Sequence, residues 1–320
     1  MKLSKSTIGL IVVTIIFYLY ATNSLSIFQS DSALEVVDFS IDRQTETNIV
    51  SSKPDRVPLY GDLHVHTKYS FDAYIFGVTA TPYDAYRYAT GETIKHPLGF
   101  DMKLKEPLDF YAVTDHGFYM GMIENYADTS SEMSKNEWTK PMHNLNRPEN
   151  VTVESLGARA DLFSSVLTQA IIKPYPWWHP NYIGAWLTNN IQLALQSFDY
   201  DVHKSAWADV ANAAEEFNDP GKFTTFIGYE FTTSTDVEGG NLHRNVIFNS
   251  SNAPIRPWTR IDSINPEDLW TWMDGLRDKG VDSLAMPHNS NGSNGQMFEV
   301  ETFRGNPTSI EYAEKRMRNE

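Results

Sequence analysis

The chain has no cysteine among its 320 residues. Disulfide staples, cysteine-ligated zinc and a thiol nucleophile are therefore excluded, and any metal must be held by His, Asp and Glu. Basic residues are scarce: 26 Lys and Arg face 41 Asp and Glu, for a formal net charge of −15. Phosphate-backbone recognition needs a basic face, so no nucleic-acid partner is expected. Neither an internal repeat nor a low-complexity tract stands out. What is present is apolar: 41% hydrophobic and 13% aromatic residues can build a sizeable core and exclude a disordered or collagen-like chain. The length fits two domains, or one large α/β barrel with insertions.

The N-terminus carries an apolar run, 7–21, behind Lys2 and Lys5. It is short for a spanning helix of about 20 residues and suits a secretory core of about 7–15. Ser24-Leu25-Ser26 offers a small-x-small cleavage pattern. The alternative is an uncleaved anchor extending through Phe28, with the lysines left in the cytoplasm. Residues 1–28 are thus expected to export the chain, leaving it periplasmic or tied to the membrane through this segment alone. Residues 29–58 read as a linker and 59–320 as the folded part.

Short β-branched or aromatic runs predict buried strands at 62–67, 108–114, 224–232, 245–248 and 283–286. Thr81-Pro82-Tyr83-Asp84 and Asn265-Pro266-Glu267-Asp268 carry the N-cap, N1 proline and early acid of helix starts. They predict helices toward Thr90 and over 269–279, with Gly280 as a stop. This alternation implies βα units and a mainly parallel sheet. The stretch 117–229 is far longer than a usual βα connection. It holds helix-like segments at 156–172 and 206–217 and an aromatic-rich segment at 174–186. An inserted cap or lid over about 120–222 is one reading; an ordinary hydrophobic subdomain is the other.

Ligand-type residues recur at the ends of the predicted strands. His64 and His66 stand at i and i+2, so both imidazoles leave one strand face. Asp62 falls on the same face and could orient a ligand imidazole, and Asp72 follows where a loop could return its carboxylate. Asp115-His116 ends the second apolar strand, Glu230 lies near the end of the third, His243 precedes the fourth, and His288 ends the last. A carboxylate in an apolar strand is costly unless paired or bound to a cation. The C-terminal ends of parallel strands are where α/β folds place their chemistry. Convergence of these groups is far more specific than any one of them. His96, His143, His179 and His203 lie outside this pattern and read as structural or exposed. Asp236 and Glu238 read as a solvated turn.

The ordered motifs YGDLHVHTKYSFDA, AVTDH, GYEF, NLHRNVIF and MPHN resemble the PHP (polymerase and histidinol phosphatase) superfamily, in particular its exported, uncharacterised branch, the domain of unknown function 3604 family. The resemblance runs from about Tyr60 to the C-terminus. It implies an α/β fold, a distorted seven-stranded (β/α) barrel with two or three divalent cations (zinc, manganese or iron) at the strand mouths. By motif, His64, His66, His116, Glu230, His243 and His288 correspond to metal ligands, and Asp72 to a position where relatives carry Asp or His. One departure is expected to matter. Relatives close the cluster with a late Asp-x-His, whereas no histidine follows His288 here, and Arg316–Glu320 reads as the middle of a charged helix. A C-terminally truncated chain, with the barrel incomplete, is the expectation.

The chemistry implied is metal-dependent hydrolysis of a phosphate ester by a metal-activated water, on a small phosphorylated organic substrate. Glu230 and Asp115 are the candidate catalytic carboxylates. Arg244, Lys68 and Asn289 flank ligand positions and could hold the substrate anion. Two alternatives compete: an amidohydrolase-like enzyme cleaving C–N or C–O bonds, and a non-catalytic metal-binding envelope protein.

Overall fold

A computed structural model describes residues 31–41, 57–170, 198–234 and 239–320. The N-terminal apolar run, the aromatic segment with His179, and Asp236 and Glu238 lie outside the described residues. Among the described residues, no helix is long and apolar enough to cross a membrane.

The described strands are β1 (Val36–Asp38), β2 (Gly61–Val65), β3 (Ile94–Lys95), β4 (Asp101–Met102), β5 (Phe110–Val113), β6 (Thr224–Thr225), β7 (Gly228–Phe231), β8 (Arg244–Phe248), β9 (Asn252–Pro254) and β10 (Ser283–Pro287). The described helices are α1 (Phe71–Ile75), α2 (Pro82–Ala89), α3 (Met122–Ala127), α4 (Leu156–Ala170), α5 (Tyr200–Phe217), α6 (Pro266–Arg277) and α7 (Ile310–Asn319). Local signals account for the starts. Thr81 and Asp84 close a capping box at α2, and the Asn265 side chain accepts from Glu267 N ahead of Pro266 at α6.

β5 lies between β2 and β6, parallel to both. The run from β6 to β7 is one interrupted strand along β5: Phe226 N donates to Tyr111 O (3.2 Å) and Glu230 N to Asp115 O (2.9 Å). β7 pairs antiparallel with β8, and β8 antiparallel with β10. The expected mainly parallel sheet is therefore mixed. No helix is described between β7 and β8, and a direct connection reverses the strand without a crossover. Asn245 of β8 donates to Leu63 O of β2 at 2.8 Å, although these strands are not ladder neighbours. Such a bond requires a strongly curled sheet, and the curl draws the far ends of β2, β5, β7 and β10 together.

One core packs the back of this sheet. Val113, Tyr229, Val246 and Phe248 meet Trp207, Val210 and Ala211 of α5 and Leu269, Trp270 and Met273 of α6. Burying each such side chain contributes about 1.5–3 kcal/mol. Two expected boundaries move. α5 falls within the predicted insertion, yet its apolar face belongs to the main core. Within the predicted linker, β1 pairs with β9 and Ala33 O accepts the Trp272 indole N–H at 2.5 Å. Ala33 and Phe39 of this stretch are buried in the main core, and Leu34, Val36 and Val37 pack against it.

A second core lies around α1, α3 and α4. Phe71 and Ile75 of α1, Met122, Ile123 and Tyr126 of α3, and Leu162 and Val166 of α4 cluster apart from the main one. Arg159 of α4 closes it. Its buried guanidinium donates to Ile75 O (2.6 Å), Leu145 O (2.7 Å), Asn150 O (3.0 Å) and Asn146 Oδ1 (2.9 Å). Arg159→Met keeps the stem but strands these acceptors, each costing about 1–3 kcal/mol when unpaired. Hydrogen exchange is expected to show lost protection in α4 and the 145–150 turn, with α5 little changed.

Candidate metal centre

Seven ligand-type side chains from six elements meet at the curled ends of the strands. β2 reaches the site through a bulge: an extra residue lies between Asp62 and Val65 relative to β5. The Leu63 carbonyl freed there accepts from Asn245 Nδ2 and from Thr114 Oγ1 (3.2 Å), which also accepts Val65 N (3.1 Å). The bulge re-aims the strand so that His64 and His66 both face Glu230. It also breaks the alternation that would place Asp62 beside them. Asp62 Oδ1 accepts the His64 backbone N–H (2.9 Å), so it braces the chain instead of orienting an imidazole.

Glu230, 1% exposed, is the hub. Its Oε2 lies 3.2 Å from His64 Nε2 and 3.1 Å from His66 Nε2. Its Oε1 lies 2.5 Å from His243 Nδ1, 3.3 Å from His116 Nδ1 and 3.4 Å from His288 Nε2. Asp72 Oδ2 stands 3.4 Å from His116 Nε2 on the far side. The cluster opens at His64, whose side chain is 41% exposed.

The donor set fits divalent cations. For a metal–ligand distance of about 2.1 Å, ligand atoms at the corners of a tetrahedron sit about 3.4 Å apart. Five of the separations, 3.1 to 3.4 Å, match that edge, while the His243–Glu230 contact, 2.5 Å, is shorter. Glu230 Oε1 and both ring nitrogens of His288 are buried and make no hydrogen bond, although nitrogen and oxygen face each other within reach. Buried polar atoms left so are rare unless something else satisfies them. His64, His66 and Glu230 form one set of potential ligands, His116, Glu230 and His243 a second, and His66, Asp72 and His116 a third.

Charge in the cluster is mutually sustained. Burial alone would raise the Glu230 carboxyl, but charged His116 and contacts from His116, His243 and His288 hold it well below the carboxylate range. Asp72 is likewise lowered to about 2, burial being outweighed by His116 and His66. Burial opposes a charge on His116, yet Glu230 and Asp72 push it up to about 10. His243 goes the other way, because its burial outweighs the pull of Glu230.

The remaining predicted residues stand apart from the cation-facing atoms. Asp115 is fully buried and points into the turn after β2, accepting from Thr67 N (2.5 Å), Thr67 Oγ1 (2.6 Å) and Ser70 Oγ (2.9 Å). Burial pushes its carboxyl up against the Thr67 hydroxyl bond. Adjacent strand residues face opposite ways, and Arg244 turns from His243 to pair with Glu320, with its other end on Leu242 O. Its guanidinium is committed there, which corrects its reading as a substrate anchor. Lys68 pairs with Glu124 at 2.9 Å. Asn289 is exposed in a left-handed turn (φ 58°) directly after His288. His203, read as structural or exposed, is buried and bonds Gly117 O through Nε2 at 2.9 Å.

Sequence reasoning missed the supporting hydroxyls. Ser70 Oγ contacts His66 Nδ1 at 2.7 Å, and Thr232 Oγ1 contacts His116 Nδ1 at 2.5 Å. Thr232 was accessible in principle, since it stands at i+2 from Glu230 on one strand face. Ser70 sits in a turn, where no periodicity points to it. Gly117 was missed too. A Cβ there would lie 2.8 Å from the Tyr229 ring, so only glycine lets the chain pass after His116 while Gly117 N donates to Glu230 O (2.9 Å).

A family model described as "Protein of unknown function (DUF3604)" matches residues 53–320. No curated protein and no solved structure matches the chain.

The raised His116 value fixes a sign. Its contribution to stability is full below about 6.5 and fades as pH rises through about 10; those of Glu230 and Asp72 hold above the ordinary carboxylate range and fade as pH falls. A cation bound through His116 would displace its proton, so uptake near pH 8 would release about one proton from this group and weaken as pH falls. Calorimetry in two buffers of different ionisation heat measures the release, and His116→Ala is expected to abolish that share.

Proposed function

We propose that this chain, which belongs to the DUF3604 family, is a metal-dependent hydrolase of phosphate esters. The observation that carries the reading is Glu230, buried and ringed by five imidazole nitrogens within 2.5 to 3.4 Å. Structural ion pairs seldom collect one carboxylate and so many histidines; cation binding explains both. The proposal includes kinship with the PHP superfamily, a (β/α) barrel-type arrangement of the curled sheet, and export through the N-terminal segment. It is supported by the place of His66, His116, Glu230 and His288, at or just past the C-terminal ends of their strands.

His64, His66 and Glu230 Oε2 would hold one cation, and His116, His243 and Glu230 Oε1 a second, with His288 Nε2 also in reach of Glu230 Oε1. Asp72 and His116 Nε2 would contribute to a third. Zinc, manganese and iron suit such His-rich, carboxylate-completed sets. Divalent cations bound there supply Lewis acidity toward a phosphoryl oxygen and acidify water for attack. The chain's own groups do the rest. Glu230 stays ionised and holds the two imidazole sets at fixed spacing. The exposed flank beside His64 is where a substrate could enter. Lys68 and Asn289 remain candidates for its anion, Lys68 only on leaving Glu124.

Metal analysis combined with a screen of phosphomonoesters and phosphodiesters tests this. Turnover that requires the bound metal is expected. His64→Ala or Glu230→Gln should lower kcat/KM about a thousandfold, equivalent to about 4 kcal/mol of transition-state stabilisation. His116→Ala should lose metal while the fold stays largely intact, as read by circular dichroism. Amide turnover alone would favour the amidohydrolase-like alternative, and metal without turnover a binding protein.

A further inference from the structure

Three hydrogen bonds meet at the buried Ser70 hydroxyl, and their directions constrain one another. Ser70 Oγ lies 2.9 Å from Asp115 Oδ1, 2.9 Å from His116 N and 2.7 Å from His66 Nδ1. A hydroxyl has one proton and two lone pairs. The His116 amide can only donate, so it occupies one lone pair. Asp115 Oδ1 also accepts the Thr67 amide (2.5 Å), which marks it as an unprotonated oxygen whatever the other carboxyl oxygen carries. The Ser70 proton therefore goes to Asp115, and only a lone pair is left for His66. His66 Nδ1 must carry the hydrogen. The reverse arrangement would press Ser70 and Asp115 lone pairs together at 2.9 Å in a fully buried site, where unpaired acceptors are costly.

We propose that Asp115 and Ser70 are positioning residues that lock His66 in its Nδ1–H tautomer, so that Nε2, 3.1 Å from Glu230 Oε2, is the nitrogen offered to a cation. Asp115 is thereby removed from the reacting groups. Because the same hydroxyl binds the His116 backbone, one side chain sets both the chemistry of the β2 ligand and the height of the β5 ligand. Partners behind a ligand imidazole are general devices for fixing its tautomer. The cation belongs to the metal-centre reading above; the tautomer stands without it.

Nitrogen-15 NMR of the metal-free, histidine-labelled protein at a pH of about 8.5 reads the tautomer directly, with His66→Gln assigning the signals. His66 is expected to keep Nδ1 protonated, also where Nε2 holds a second proton toward Glu230 Oε2. Ser70→Ala should mix the tautomers and weaken binding of Zn2+ alone about 10–100-fold. Asp115→Asn keeps an acceptor oxygen for Ser70, so tautomer and Zn2+ affinity should hold within about threefold. A ring protonated at Nε2 and bare at Nδ1 in the unsubstituted protein overturns the proposal. So does a folded Ser70→Ala with tautomer and affinity unchanged, or an Asp115→Asn protein that keeps the tautomer but loses Zn2+. Should Ser70→Ala not fold, the unsubstituted spectrum decides. Absence of Zn2+ uptake by the unsubstituted protein would sink the metal-centre reading, while the spectrum would still judge the tautomer.

Discussion

Glu230 sits between two buried aromatic residues, Tyr229 and Phe231, on a strand whose every residue is buried. A carboxylate ionised there needs positive charge at contact distance. No lysine or arginine is among its described ion-pair partners, which are histidines throughout. Imidazoles become positive only by holding protons, and several protonated rings packed 4.3 to 6.1 Å apart repel one another. The cluster can thus satisfy its carboxylate with protons only in part. Divalent cations remove the conflict, because each neutral imidazole then contributes a lone pair instead of a charge.

The sheet is shaped to serve that one carboxylate. In a flat sheet, side chains of β2 and β10 would stand several strands apart; here the His64 and His288 rings are 4.3 Å from each other. The curl is held by polar contacts that a regular ladder would not provide. Asn245 and Thr114 both take up the carbonyl exposed by the β2 bulge. The bulge, normally a loss of pairing, is what turns two histidines inward. Reversal of β8 adds the second half of the site, because His243 then enters from the beginning of its strand while His66, His116 and His288 lie beyond the ends of theirs.

The main residues of the cluster were legible from the sequence because strand periodicity and termini are one-dimensional signals. His64 and His66 share a face by spacing alone, and Glu230 is conspicuous as a charge inside an apolar run. Helix starts at Pro82 and Pro266 were equally plain, since capping is local. Direction was not: nothing in residues 245–248 says whether that strand runs with or against its neighbour. Arg244 shows a different limit. Flanking a ligand suggested contact with substrate, but on a strand the neighbour of an inward residue faces outward, and its partner, Glu320, lies far along the chain. Asp115 was legible as a buried carboxylate but its partners were not, because the hydroxyls that occupy it lie in a turn.

The two cores give the ligands unequal footing. His116, Glu230 and His243 rise from strands or strand ends backed by Trp207, Tyr229 and Val246 in the main core. Asp72 instead lies on α1, whose Phe71 and Ile75 pack into the second core with α3 and α4. The Phe71 ring contacts the His116 ring (4.9 Å), so the two units touch at the site itself. A shift of the second core relative to the sheet would alter the Asp72–His116 spacing, 3.4 Å here. A cation bound by both would tie them together, and by mass action would add about 2.7 kcal/mol of stability at a hundred times its dissociation constant. Order of α1 and cation uptake would then be one equilibrium viewed from two sides: whatever loosens α1 would weaken the Asp72 contribution, and whatever fills the centre would steady the second core.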